Sequence, residues 1–455
     1  MSYRVRALGA RTPEEEGTAM KRRSFLGSVG GGVAASVVAR SAAGRAAVSP
    51  NDRIAVAMMG VRTRGKDLTR FFSSMPDVDV RYICDVDSNV VGPAMEIAEE
   101  AQGKKPELID DIRRALDDPA VDAVVIATPT HWHTPAAVLA CEAGKDAYVE
   151  KPLSHNFQEG RLLVETVQRT KRVVQVGTQS RSRPITQRFV ELLQSGKIGT
   201  IHMAKVANIE YRPDIGHRPD EPVPEGVNYD LWTGPAPMLP FNQNRFHGTF
   251  KWHWNYGTGE LGNNGAHWLD LCRWVLGVGL PTQVSGMGRK LAFDDDKQTP
   301  DTDNLTFSYP DKVIAWEERL WTPYGFDGSE NTMVFYGTDG MAHAGRWVGG
   351  RYAFKIFDSK GKLVRYEEED VFETGIVPHI RNFLDCIRSR ETPIADVESQ
   401  HISTGICHLG NVVVRSGRNI RFDPATETIA GDDEASQYLK REYRDHWSSE
   451  PFRRT

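Results

Sequence analysis

Lys151 stands in the stretch "AYVEKPLSHN", residues 147–156, where an apolar run ends in Glu-Lys-Pro. A lysine acts as a base only when burial or neighbouring positive charge lowers its pKa. Glu150 and Lys151 therefore admit three plain readings beside a catalytic one: a solvated strand end, a surface ion pair, or a turn fixed by Pro152. A second group of residues points to a cofactor. The loop "GVRTRG", Gly60 to Gly65, follows the apolar run "RIAVAMMG". Glycines at such a strand–helix turn let the backbone approach a pyrophosphate at a helix N-terminus. Only the first and last of the three usual glycines are present, with Arg62 in the middle place and Thr63 and Arg64 before Gly65. Asp85, in "ICDVD", lies about 20 residues beyond this loop, where dinucleotide folds place an acid for the ribose hydroxyls. An acid there repels a 2′-phosphate and favours NAD over NADP. Arg62 and Arg64 could each reach a phosphate, which leaves NADP open.

These residues need strands to present them. From Asn51 onward the apolar runs "RIAVAMMG", "VDVRYICDVD", "VDAVVIATP", "DAYVEKP" and "RVVQVGTQ" are separated by helical patterns such as "AMEIAEEAQ", "TPAAVLACEAG" and "QEGRLLVETVQRT". That alternation argues for parallel βαβ units with helices on both faces. The fold class is α/β, with a doubly wound dinucleotide-binding (Rossmann) domain over residues 51–180. Beyond "RPITQRFVELLQSGKIG" the pattern changes. "TIHMAKVANIEYR" reads as a long strand, and a Pro- and Trp-rich region with little periodicity runs to about Gly257. "TDNLTFSYP", "VIAWEERLW" and "NTMVFYGTDG" are rich in β-branched and aromatic residues. They predict a second, α+β domain over 181–425 with a large, open, mainly antiparallel sheet, followed by a polar tail over 426–455.

Composition narrows the functions available. The chain has 455 residues, 40% hydrophobic and 26% charged, with a formal net charge of −5. A mild negative charge spread along the chain gives no electrostatic case for nucleic acid. Cys84, Cys141, Cys272, Cys386 and Cys407 are widely spaced, which fits neither a zinc site nor a disulfide framework. No metal is expected. At the N-terminus, "KRRSFLGSVGGGVAASVVARSAAGRAAVS" has paired Arg22 and Arg23, a weakly apolar stretch and small residues near Ala43 to Ala47. That is the pattern of a twin-arginine export signal over 1–47, and it predicts an exported, periplasmic or extracytoplasmic protein. The apolar run is too short for a spanning helix, so no membrane association is expected after the signal is removed.

In their order, "GVRTRG", "CDVD", "IATPTHWHTPAAVLACEAGKDAYVEKPL" and "GELGNNGAHWLD" resemble the glucose-fructose oxidoreductase / inositol dehydrogenase / rhizopine catabolism (Gfo/Idh/MocA) family. The resemblance runs from about Asn51 to Asp423. It implies an N-terminal Rossmann domain, a C-terminal domain with a large open sheet, and a homo-oligomer built on that sheet's face. It also implies NAD- or NADP-dependent chemistry on a hydroxyl or carbonyl of a sugar or cyclitol. By the same resemblance Thr128 lines the cofactor with Pro129, His133 stands beside it, and Glu150 and Lys151 bring an acid and a lysine to the nicotinamide. The second motif departs from the family's pattern: Gly259, Leu261, Gly265, His267 and Asp270 match, but Asn263 replaces an aspartate. On a helix Asn263, His267 and Asp270 fall at i, i+4 and i+7, on one face. Asparagine orients a substrate through hydrogen bonds but takes no proton as a carboxylate does.

Removing a hydride from an alcohol requires a positioned base for the hydroxyl proton. The expectation is that His267 and Lys151 share that proton, Asp270 orients His267, and Asn263 holds a neighbouring hydroxyl. Trp254, in "KWHWNYG", offers a flat face to a sugar ring. Arg212, His217 and Arg218 could meet an acidic sugar, although a solvated loop fits them as well. For an exported enzyme, free nicotinamide cofactor is scarce, which argues for a tightly held cofactor in a redox-neutral cycle. Two other functions fit the same residues: glycoside cleavage by transient oxidation and elimination, and a non-catalytic sugar sensor.

Overall fold

The computed structural model describes residues 53–322, 324–325, 329–347, 351–369 and 372–444. The twin-arginine pattern lies outside them. The first layer is built from β1 (Ile54–Met59), α1 (Thr63–Ser73), β2 (Val78–Cys84), α2 (Gly92–Gln102), β3 (Glu107–Ile109), α3 (Ile112–Asp117), β4 (Ala123–Ile126), α4 (His133–Glu142), β5 (Asp146–Val149), α5 (Phe157–Thr170) and β6 (Val174–Val176). Every residue of β1, β4, β5 and β6 is buried, because helices cover both faces of a parallel sheet. The strand order is β3-β2-β1-β4-β5-β6, with parallel pairing throughout. The order reverses between β1 and β4, so the carboxyl ends of these strands open a crevice where ligands bind in such sheets.

After α6 (Pro184–Gln194) the chain enters a second sheet through β7 (Ile201–Asn208), then runs through α7 (Tyr229–Thr233), α8 (Gly259–Asn263) and α9 (Gly265–Leu276). Seven strands follow: β8 (Gln283–Arg289), β9 (Thr302–Ser308), β10 (Val313–Arg319), β11 (Ser329–Gly337), β12 (Gly340–Trp347), β13 (Tyr352–Asp358) and β14 (Leu363–Glu369). Two helices, α10 (Ile376–Ser389) and α11 (Val397–Ser416), lead to β15 (Ile420–Asp423), β16 (Thr428–Ile429) and α12 (Asp433–Ser436). The ten-stranded sheet has the order β14-β13-β12-β11-β7-β10-β9-β8-β15-β16. It is antiparallel except where β10 runs parallel to β7. Burial alternates along β10, so one face packs on helices and the other does not. Ile314 and Trp316 join Phe189 of α6, Leu269 of α9 and Leu409 of α11 in one core.

The helices lock the two sheets together. α10 lies within the stretch assigned to the second domain, yet Ile376, Ile380, Phe383 and Leu384 pack into the core of the first sheet with Val56, Val80 and Tyr148. The tail also turns back: Arg441 and Tyr443 both donate to Glu159 Oε1 of α5, at 2.7 and 2.9 Å. Between β7 and α8 the chain forms a small aromatic core of Tyr229, Trp232, Phe241, Phe246 and Tyr256. This segment, opaque in the sequence, crosses the mouth of the crevice. All five cysteines are buried and unpaired.

Candidate active site

A cavity of about 390 Å³ opens at the carboxyl ends of β1, β2, β4 and β5. Its floor begins at Gly60, whose φ of +79° suits glycine alone; a Cβ there would lie 2.9 Å from Ala127 and Thr128 backbone atoms. Gly65 sits behind this turn and off the cavity wall. A Cβ on it would collide with the Gly60 carbonyl oxygen, so it is the glycine that lets α1 close on β1. No side chain caps the N-terminus of α1, leaving its first N–H groups for a phosphate. Asp85 lines the same cavity. Its Oδ2 accepts the Val61 N–H at 2.8 Å and its Oδ1 the Asp87 N–H at 3.1 Å; burial raises its pKa in spite of them. Both oxygens keep lone pairs for hydroxyl donors.

On the far side β5 delivers Glu150 and Lys151. Glu150 Oε1 accepts Arg64 Nε at 2.8 Å, and burial, which opposes its charge, is outweighed by Arg64 and Lys151, so its pKa is lowered. Arg64 Nη2 and Thr128 Oγ1 are buried with no hydrogen-bond partner among the described residues. His133 is wedged between two carbonyls, Pro152 O at 2.7 Å and Thr128 O at 2.9 Å, and laces the turn after β4 to the loop after β5. Burial lowers its pKa, so the ring is neutral and donates to one of the two. The glycine cradle, the uncapped helix and these unpartnered donors fit a dinucleotide.

Lys151 Nζ points across the cavity to the second domain, donating to Asn263 O at 3.0 Å and Asn263 Oδ1 at 2.8 Å. Burial pulls its pKa down to about 8, against the opposing pull of Glu150 and Glu260. Glu260, one helical turn before Asn263, is 1% exposed. Its Oε1 accepts Asn263 Nδ2 at 3.1 Å and Arg212 Nη2 at 2.8 Å, and Lys251 Nζ stands 3.7 Å from Oε2. Burial works against that carboxylate, but Lys251 and Arg212 keep it ionised. The floor is therefore a run of alternating charges, Arg64–Glu150–Lys151 and, through Asn263, Glu260–Arg212.

Two family models match the sequence: "oxidoreductase family, NAD-binding Rossmann fold" over residues 54–178, and "oxidoreductase family, C-terminal alpha/beta domain" over 211–314 and 336–449. The chain belongs to the Gfo/Idh/MocA oxidoreductase family. It is 26% identical to a scyllo-inositol 2-dehydrogenase (NAD(+)) of Bacillus subtilis (strain 168) over 356 residues, 75% of this chain and 89% of the relative. A glycosyl hydrolase family 109 protein of Shewanella sp. (strain ANA-3) is 31% identical over 172 residues, 33% of this chain and 38% of that one. Among solved structures, the WlbA dehydrogenase from Bordetella pertussis, in complex with NADH and UDP-GlcNAcA, superposes with a TM-score of 0.59. That match is 20% identical and covers 82% of this chain and 99% of the other. NAD is the cofactor of this Rossmann domain.

In this oxidoreductase Gly60, Thr63, Arg64, Asp85, Thr128, His133, Glu150, Lys151 and Asn263 all border the one cavity. The second motif divides differently from the sequence expectation. His267 carries no hydrogen bond to Asp270; its Nδ1 is buried with no partner among the described residues, and burial, then Lys151 and Arg64, hold its pKa well below the usual histidine value. Asp270 does not orient it, because Arg181 Nε and Nη2 occupy both its oxygens at 2.8 and 2.7 Å, with Ser403 Oγ at 2.6 Å. The reason is packing: α8 and α9 are separate helices, and Asp270 of α9 faces α11, where Gln400 and Ser403 meet its Oδ1. His267 is not among the residues that border the cavity, though it is close enough to Lys151 to feel its charge. Trp254 also lies elsewhere, beneath the Arg415 guanidinium at 5.0 Å in a second cavity. Glu260, Lys251 and His247 were not legible as site residues; the one signal was Glu260's place inside the "GELGNNGAHWLD" motif. Arg212 joins the site through Glu260, whereas His217 and Arg218 stay exposed and latch onto Asp296. Among the described residues no cluster of His, Cys, Asp or Glu could hold a metal ion, and no helix is long and apolar enough to cross a membrane.

Proposed function

We propose that this chain oxidises a hydroxyl of a sugar or sugar derivative with Lys151 as the acid–base residue. One observation carries the reading: a buried lysine with a pKa of about 8 bridges the cofactor wall and the second domain. Bound NAD supplies the hydride acceptor. Neutral Lys151 takes the hydroxyl proton, Asn263 and Glu260 fix its Nζ, and His267 donates or accepts a hydrogen bond at a neighbouring hydroxyl rather than storing a proton. The aromatic segment over the crevice supports a tightly held cofactor and a redox-neutral cycle, and the twin-arginine pattern supports export; NADP is disfavoured by Asp85. The test is turnover of inositols and aldoses by the NAD-loaded chain, with His267→Ala and Lys151→Met beside it. Substantial loss in Lys151→Met and partial loss in His267→Ala support this division of roles. Undiminished turnover in either variant sinks its part.

The glycosyl hydrolase family 109 relative favours a second reading, in which the same oxidation acidifies a neighbouring C–H and a glycoside is eliminated. Release of the aryl alcohol from aryl glycosides by the NAD-loaded chain, with no net NADH formed, would establish it.

A further inference from the structure

A second cavity, of about 330 Å³, lies behind the wall of the first. Thr258 borders both, and its carbonyl is fixed by Asn411 Nδ2 at 2.9 Å. The loop after β5 also serves both: Lys151 and Pro152 face the first cavity, His155 and Asn156 the second.

The second cavity is lined with donors that no described residue uses. His155 is 8% exposed, and neither ring nitrogen has a partner among the described residues. Asn156, 7% exposed, spends Oδ1 on the Glu159 N–H at 3.0 Å, capping α5, and leaves Nδ2 unpartnered. Arg441 donates Nε to Glu159 and Nη2 to His131 O, both at 2.7 Å, while Nη1 is buried without an acceptor. Arg415 lies between Trp254 and Tyr438, with ring centroids at 5.0 and 4.4 Å, a sandwich that fixes its plane. The fourteen-residue α5 begins here, so the positive end of its dipole adds to these charges. Arg415, Lys440 and Arg441 line the cavity beside one acid, Glu442, and of the three cations Arg441 is also paired with Glu159 behind the lining. Unused donors, cations and a helix N-terminus call for a ligand rich in acceptors and negative charge. The volume is at the small end of ligand pockets, which span about 300–1,000 Å³.

We propose that this cavity binds an oxyanion, a carboxylate or phosphate group on a molecule no larger than a monosaccharide, at a site separate from the redox cavity. The experiment is calorimetric titration of the NAD-loaded full chain with inorganic phosphate and with glucuronate, glucose and chloride serving as the neutral and simple-ion controls. The expected result is saturable binding of phosphate or glucuronate but not of the controls. Which of the two binds separates a free phosphate from an acidic sugar. Arg415→Gln or Lys440→Gln, both at exposed positions, should weaken it at least tenfold with NAD binding intact, and Lys151→Met should leave it unchanged. Either of two results overturns the proposal. One is heat no different from chloride. The other is glucuronate binding that Lys151→Met abolishes and the arginine and lysine variants spare, which belongs to the redox cavity.

Discussion

In the proposed reaction Lys151 is the residue on which the chemistry turns, and its environment makes a claim about pH. Protonated below its pKa, it cannot accept a hydroxyl proton; neutral above it, it can. Because burial sets that pKa to about 8, oxidation should rise about tenfold per pH unit up to roughly that point and then level. Lys151→Met should lower kcat by about 10²–10⁴ and remove that limb from the profile, as read from initial rates across pH. His267, held neutral throughout, would contribute no such limb. Asp270 makes the opposite sort of prediction. Its pKa is lowered because Arg181 overcomes burial, so it contributes stability above the unfolded carboxylate pKa that is lost as pH falls through the folded value. Asp270→Asn should cost about 3–5 kcal/mol, since it leaves Arg181 buried and uncompensated. Urea denaturation would show this; unchanged stability together with lost turnover would restore Asp270 to the chemistry. Residue types and spacing pointed to Asp85, which ends an apolar run at a strand's carboxyl end, whereas Lys151 kept its plain readings until the family resemblance singled it out. Types and spacing could not foresee that Asp270 pairs with Arg181 and Ser403 instead of His267, since spacing along a helix does not say which distant residues meet its face.

At the scale of elements, the turn from β1 to α1 is the most constrained part of the cofactor wall. Gly60→Ala would force a side chain into positive φ and within 2.9 Å of the turn after β4. The left-handed backbone alone costs roughly 1–2 kcal/mol, and relief of the contact means moving the backbone that meets the pyrophosphate. NAD affinity should fall by at least tenfold, about 1.4 kcal/mol, as followed by fluorescence titration, with the second sheet intact. The same element explains why the first sheet was legible: β1, β4 and β5 are wholly buried and read as continuous apolar runs. The second sheet was only partly so. β7, β9, β10 and β11 carry β-branched and aromatic residues, but β12, "GMAHAGRW", is small and polar, and β14, "LVRYEEE", has four exposed residues at its start. Their pairing is set by neighbours distant in sequence rather than by propensity. α10 shows a further limit. Its apolar stripe is plain in "HIRNFLDCIRS", yet a stripe does not say which of two sheets will receive it.

For the whole molecule, the question is how a cofactor is kept. The segment between β7 and α8 belongs to the second domain in sequence but closes over the first. Trp232, His247 and Phe250 line the cofactor cavity from above. Several ties hold it down: Ser88 N and Oγ donate to Gly226 O at 2.9 and 3.1 Å, Asn228 N donates to Val86 O at 2.7 Å, Trp132 Nε1 donates to Trp232 O at 3.0 Å, and His247 Nε2 meets Asp87 Oδ2 at 2.7 Å. His247 has a φ of +51°, a conformation that costs a non-glycine residue energy and that its surroundings must enforce. Burial lowers the His247 pKa, so its bond to Asp87 is that of a neutral N–H to a carboxylate, worth about 1.5–3 kcal/mol. His247 is at once a tie and part of the cavity wall, so opening the wall at that point breaks this bond. His247→Ala should therefore release NAD roughly tenfold faster or more, measured by mixing loaded protein with an excess of a cofactor-binding competitor. The wild-type chain should retain its nicotinamide through gel filtration. If both proteins lose it at the same rate, the segment is a wall and not a clasp, and a closed redox cycle would have to rest on cofactor supplied from solution.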